Sequence, residues 1–177
     1  MTISDLFRQH GQYAIADPIK LVCDLYKSYI SITGLNESLD HFYSWGQLLL
    51  ADFDDLDKNM ANADKVFANL REIHEYDDVS HLTDEQRKAI QRFFKNFTDD
   101  QDTQLKERFL KIWSKIGAIY HDFNQRLSAQ GITYEGALYR QVAESDLSML
   151  QMEYDTYLFV GFNLVQPVEQ CLFKTLS

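Results

Sequence analysis

Residues 41–70 read HFYSWGQLLLADFDDLDKNMANADKVFANL and combine apolar residues at helical spacing with a run of aspartates. The run consists of Asp52, Asp54, Asp55 and Asp57, with large aromatic residues on both sides. Three interpretations are open: a carboxylate metal site, a junction between two helices, or the marker of a protein family. The choice decides whether the chain is interpreted as an enzyme.

The spacing of the aspartates favours a helix junction over a metal site. A calcium-binding loop needs a glycine for its turn and a distal glutamate, and the run has neither at the required offsets. An aspartate just before a helix accepts hydrogen bonds from free backbone N–H groups, and the helix dipole favours further carboxylates in the first turn. We therefore predict one helix over residues 38–50 and another over 54–70, capped by Asp52 or Asp54.

The composition predicts a mainly α fold, a multi-helix, bundle-like domain over residues 1–146. Of the 177 residues 45% are hydrophobic, which suffices for a core, whereas only 7 are glycine and 2 are proline. So few helix breakers favour long helices over many short strands. Residues 147–177 change in character and predict a strand–helix tail that belongs to another domain.

Start and stop signals place further helices. Asp17 caps and Pro18 starts the first of them, whose apolar period ends at Gly34. Gly131 lies just beyond the end of the longest helix. Thr83 and Gln86 form a predicted capping box. The predicted helices cover residues 17–34, 83–97, 103–129, 133–143 and 167–176.

The tail begins with a predicted strand that has no partner. Residues 157–162, YLFVGF, are apolar and rich in β-forming residues, which indicates a buried strand. No second strand is predicted in the chain, and a lone buried strand leaves its N–H and C=O groups unpaired. We therefore predict that Phe159, Val160 and Phe162 form an interface with a missing domain or with a second copy.

Charge and motifs exclude several function classes. The net charge of −10 opposes autonomous binding to nucleic acid, which rests on Lys and Arg at phosphates. The basic run at residues 86–95 is expected to be a solvated helix face. Neither a nucleotide-binding glycine motif, a GxSxG nor an HExxH occurs, so no catalytic residue, cofactor or metal site is predicted. A loop metal site at His74 and His81 is a minor alternative.

The remaining signals predict a cytoplasmic protein. Cys23 and Cys171 lie in apolar surroundings and indicate buried thiols in a reducing compartment rather than a disulfide. The N-terminal sequence lacks the pattern of a signal peptide. No apolar run is long enough for a membrane span, so no membrane partner is expected.

Three segments, taken in order, resemble one protein family. Residues 41–70 look like its F-x-x-W-G-x-x-L-L-x-D-F-D-D-x-D block. Residues 109–144, FLKIWSKIGAIYHDFNQRLSAQGITYEGALYRQVAE, and residues 157–173, YLFVGFNLVQPVEQCLF, are similar to two later blocks. The family is the AddB/RecB-like helicase–nucleases of the Bacteroides group, which end in a PD-(D/E)XK nuclease domain. The resemblance covers most of residues 3–176.

The resemblance implies a fragment of a larger protein. The chain would be the helical subdomain inserted into a RecA-like α/β motor domain, followed by the returning strand and helix of that domain. An active motor carries Asp-Glu at the end of this strand, but no carboxylate occurs from Leu158 through Gln166. The ATPase motor would therefore be degenerate, and the nuclease domain would lie outside this chain.

The implied function is a non-catalytic scaffold in the recombination and repair of DNA double-strand breaks. Its partners would be the rest of the helicase–nuclease chain or complex, with DNA only in that context. One alternative is a stand-alone helical protein-interaction module that forms a homodimer through the C-terminal strand. The other is a small metal-dependent enzyme that uses the carboxylates of residues 52–57.

Overall fold

The computed structural model describes residues 1–68, 112–146 and 156–176, and it confirms that the chain is mainly α. Short helical stretches also occur at residues 63–68 and 112–113. Two short strands, β1 (Ala14–Ile15) and β2 (Ile132–Thr133), pair in parallel. None of the helices in these ranges is long and apolar enough to cross a membrane. The helices with both ends described are α1 (Ile3–His10), α2 (Pro18–Thr33), α3 (Leu39–Lys58), α4 (Ile116–Ala129), α5 (Glu135–Ala143) and α6 (Pro167–Leu176).

Local caps explain where α1 and α2 begin. Thr2 and Asp5 form a capping box, in which the Asp5 amide donates to Thr2 Oγ1 at 3.1 Å. No pattern predicted α1, although this Thr-x-x-Asp spacing was the available signal. Asp17 caps α2 as predicted and accepts from the Ile19 amide at 2.8 Å. Gly34 ends α2 at a φ of 68°, a conformation that glycine adopts without strain.

Helix α3 corrects the prediction of two helices over residues 38–50 and 54–70. It runs without a break from Leu39 to Lys58, and the described part of the next helical stretch is residues 63–68. The predicted junction is wrong because residues 51–54 contain neither glycine nor proline, and an aspartate inside a helix costs at most about 0.7 kcal/mol. The aspartates therefore lie within α3 and do not start a helix.

The boundaries around β2 differ in detail from the prediction. A turn at residues 114–115 interrupts the helix predicted over 103–129 before α4 begins. Gly131 follows α4 at a φ of 71°, as predicted. Thr133 belongs to β2, which no pattern predicted, and α5 therefore starts at Glu135.

The tail departs from the prediction before α6. Residues 157–162 form no strand with any described residue, and the prediction that their partner strand lies outside this chain stays a prediction. Leu158 and Val160 are 86% and 84% exposed, so nothing in the described residues covers these two side chains. Helix α6 matches its predicted range and packs on α5 through the buried side chains of Val168 and Leu172.

Some predictions concern residues outside the described ranges. They are the helix at 83–97 with its capping box, the basic run at 86–95, and the loop that holds His74 and His81. The division into domains at residue 146 and the assignment of the tail to a RecA-like domain stay predictions.

Two apolar clusters form the core. The first lies among α2, α3 and α4 and includes Leu25, Phe53 and Phe123. The second lies among α1, α5 and α6 and includes Phe7 and Leu138. Because α3 packs against both α2 and α5, the interface between α3 and α5 joins the two clusters. The aspartate run lies at this interface.

Candidate functional site

Asp57 is a buried carboxylate in the last turn of α3, with 1% of its surface exposed. Its Oδ1 accepts hydrogen bonds from the Tyr120 hydroxyl at 2.7 Å and from Arg140 Nη1 at 3.2 Å. Its Oδ2 accepts a hydrogen bond from the Tyr134 hydroxyl. The helix dipole disfavours a carboxylate near a C-terminus, and these three donors offset that cost. Asp57 thereby ties α3 to α4, to the start of α5 and to Arg140 within α5.

The two phenols around Asp57 remain protonated donors. Burial raises the pKa of Tyr134 well above its usual value, and the charge of Asp57 raises it further. The same two causes, in the same order, raise the pKa of Tyr120. The Arg140 guanidinium also donates to the Ala61 carbonyl oxygen at 2.7 Å. Asp57 is thus closed off from solvent and bound by three donors from other parts of the fold.

Asp54 does cap a helix, although not the helix that was predicted. Its Oδ1 accepts a hydrogen bond from the Gly136 amide at 2.6 Å. Gly136 is the second residue of α5, where backbone N–H groups have no partner inside the helix. The residue before α5, Tyr134, makes no side-chain capping bond of its own. Helix α5 therefore receives its cap from α3.

A chain of ion pairs extends from Asp54 across the same interface. Lys58 Nζ lies 2.8 Å from Asp54 and 2.8 Å from Glu135, and Arg8 of α1 lies 3.3 Å from Glu135. Burial alone would raise the pKa of Glu135, but the hydrogen bonds and charges of Lys58 and Arg8 outweigh it and lower that pKa. The chain of ion pairs thus joins α1, α3 and α5.

Helices α3 and α5 approach each other closely at Gly136. A methyl group added at this residue is therefore expected to lower the stability of the protein. A Cβ at Gly136 would lie 2.4 Å from the backbone oxygen of Asp54, which cannot move aside without shifting α3. Although alanine in a helix is normally favoured over glycine by about 1 kcal/mol, we expect Gly136→Ala to lower the free energy of unfolding by about 1–3 kcal/mol. Urea denaturation measures the change.

Gly117→Ala in α4 is the matched control for Gly136→Ala. Its Cβ would meet the Phe67 ring at 3.2 Å, and a ring can adjust where a backbone cannot. We expect this control to change the free energy of unfolding by less than about 1 kcal/mol. Equal effects of the two substitutions would contradict the tight contact at Gly136.

The exposed side of the aspartate run borders a groove of about 380 Å³. Its described walls are apolar except for Asp52, Asp55 and Asn59. No lysine or arginine occurs among these lining residues, so their chemistry does not suit a phosphate group. Over the ranges that the structure covers, no three His, Cys, Asp or Glu side chains are grouped to hold a metal ion. Asp54 and Asp57 are engaged by other side chains, as described above.

The three predicted interface residues lie on different sides of the tail. The rings of Phe159 and Phe162 lie 4.3 Å and 5.5 Å from the Phe173 ring of α6, centre to centre. Val160 instead faces solvent, and so does Leu158. The structure therefore brings Phe159 and Phe162 together on the chain's own helix and leaves Val160 apart. Leu158 was missed, although its alternation with Val160 was the available signal.

Comparison with known proteins leaves the family open. No family model matches the chain, and neither a curated protein nor a solved structure matches it. The resemblance to AddB/RecB-like proteins thus rests on the three sequence blocks alone.

Proposed function

We propose that the chain is a non-catalytic helical subdomain of a helicase–nuclease that acts in the repair of DNA double-strand breaks. Its role is to scaffold the larger protein and to contact a partner subunit, or DNA in that context. The order of the three sequence blocks supports this assignment. In this proposal the parent protein is cytoplasmic, its ATPase motor is degenerate, and its nuclease site lies in another domain.

One observation of the structure carries the proposal. Among the described residues, the backbone groups of Leu158, Phe159 and Val160 make no hydrogen bond, and exposed and half-buried side chains alternate along the segment. Strand residues normally pair these groups, because leaving them unpaired on burial is costly. An apolar segment with alternating burial fits a strand whose sheet belongs to an adjoining domain.

The roles of the charged side chains between α3 and α5 favour a scaffold over an enzyme. Asp54, Asp57, Lys58 and Arg140 all make contacts between helices. A catalytic acid or base must reach a substrate atom within hydrogen-bonding distance, and the 1% exposure of Asp57 leaves no such access. We therefore assign to these charged side chains the role of holding α3 against α5.

The reading frame around the coding sequence tests the proposal. We expect the frame to continue on both sides, with a GxxxxGK[ST] sequence encoded upstream and a PD-(D/E)XK nuclease downstream. The purified chain alone, with Mg²⁺ and linear double-stranded DNA, should hydrolyse neither ATP nor DNA above a protein-free blank. A reading frame that encodes neither flanking sequence would overturn the proposal. Hydrolysis of ATP or DNA that rises with chain concentration would overturn it too.

The same unpaired segment favours one second candidate, a stand-alone helical protein-interaction module. This candidate also uses Leu158 and Val160 as a contact surface, because both side chains are exposed. It predicts a reading frame that encodes this chain alone. The frame therefore distinguishes the two candidates.

A further inference from the structure

We draw no further inference here: the strongest candidate, the apolar groove that Asp52 and Asp55 border between α3, residues 63–68 and the start of α4, has Phe67 and Trp113 among its walls, next to residues outside the described ranges, and nothing in the structure shows what covers it.

Discussion

Asp57→Ala is expected to lower the free energy of unfolding by about 3–5 kcal/mol in urea denaturation at pH 7. The substitution removes the shared acceptor of Tyr120, Tyr134 and Arg140. Tyr134 is a fully buried side chain, and each buried polar group left without a partner costs about 1–3 kcal/mol. The loss is therefore larger than the removal of one surface ion pair would cause.

Asp55→Ala is the matched control for Asp57→Ala, because Asp55 is exposed on the same helix and belongs to the same run. We expect it to change stability by no more than about 0.5 kcal/mol. A double-mutant cycle adds a second check, since Tyr134→Phe should cost less in the Asp57→Ala background than in wild type. Similar losses for Asp55→Ala and Asp57→Ala would contradict the described network.

Phe53→Ala is expected to lower the free energy of unfolding by a similar amount, about 3–5 kcal/mol. Phe53 is 1% exposed, and its ring lies 5.1 Å from the Tyr120 ring and 6.4 Å from the Phe123 ring, centre to centre. Its removal leaves a cavity between α3 and α4 that the surrounding rings cannot fill. Urea denaturation again measures the change.

Leu48→Ala controls for the loss of an apolar side chain from α3. Leu48 is 64% exposed, so its truncation should cost no more than about 0.5 kcal/mol. Phe53→Leu keeps most of the apolar volume and should cost less than about 1.5 kcal/mol. If Leu48→Ala were as damaging as Phe53→Ala, the buried face of α3 would have to be assigned differently.

Element ends that depend on neighbouring residues were predictable from the sequence. The cap at Asp17, the start at Pro18 and the end at Gly34 each rest on contacts or conformations within a few residues. The same holds for Pro167 at the start of α6 and for Gly131 after α4. These signals do not require knowledge of the rest of the fold.

The role of the aspartate run was not predictable in this way. Capping was the right chemistry for Asp54, but the capped amide belongs to Gly136, 82 residues away. Asp57 lies where the helix dipole disfavours it, and it is held by residues from α4, from the start of α5 and from within α5. The roles of Asp54 and Asp57 both depend on contacts between helices. Such contacts cannot be recognised from the pattern of a single sequence.

The tail and the small sheet show two further limits. β1 and β2 have two residues each, too few for an alternating pattern to be recognised. In the tail every residue from Tyr157 to Val160 is apolar, so the sequence did not separate the inward face from the outward face. Packing of Phe159 on Phe173 makes that separation in the structure.

The cap that α3 provides for α5 has a consequence for the order of folding. Helix α5 has only 9 residues, too few for stability in water without tertiary support. Its capping acceptor lies 82 residues earlier, and closing so long a loop carries an entropy cost. Residues 135–143 are therefore expected to form a stable helix only once they dock on α3.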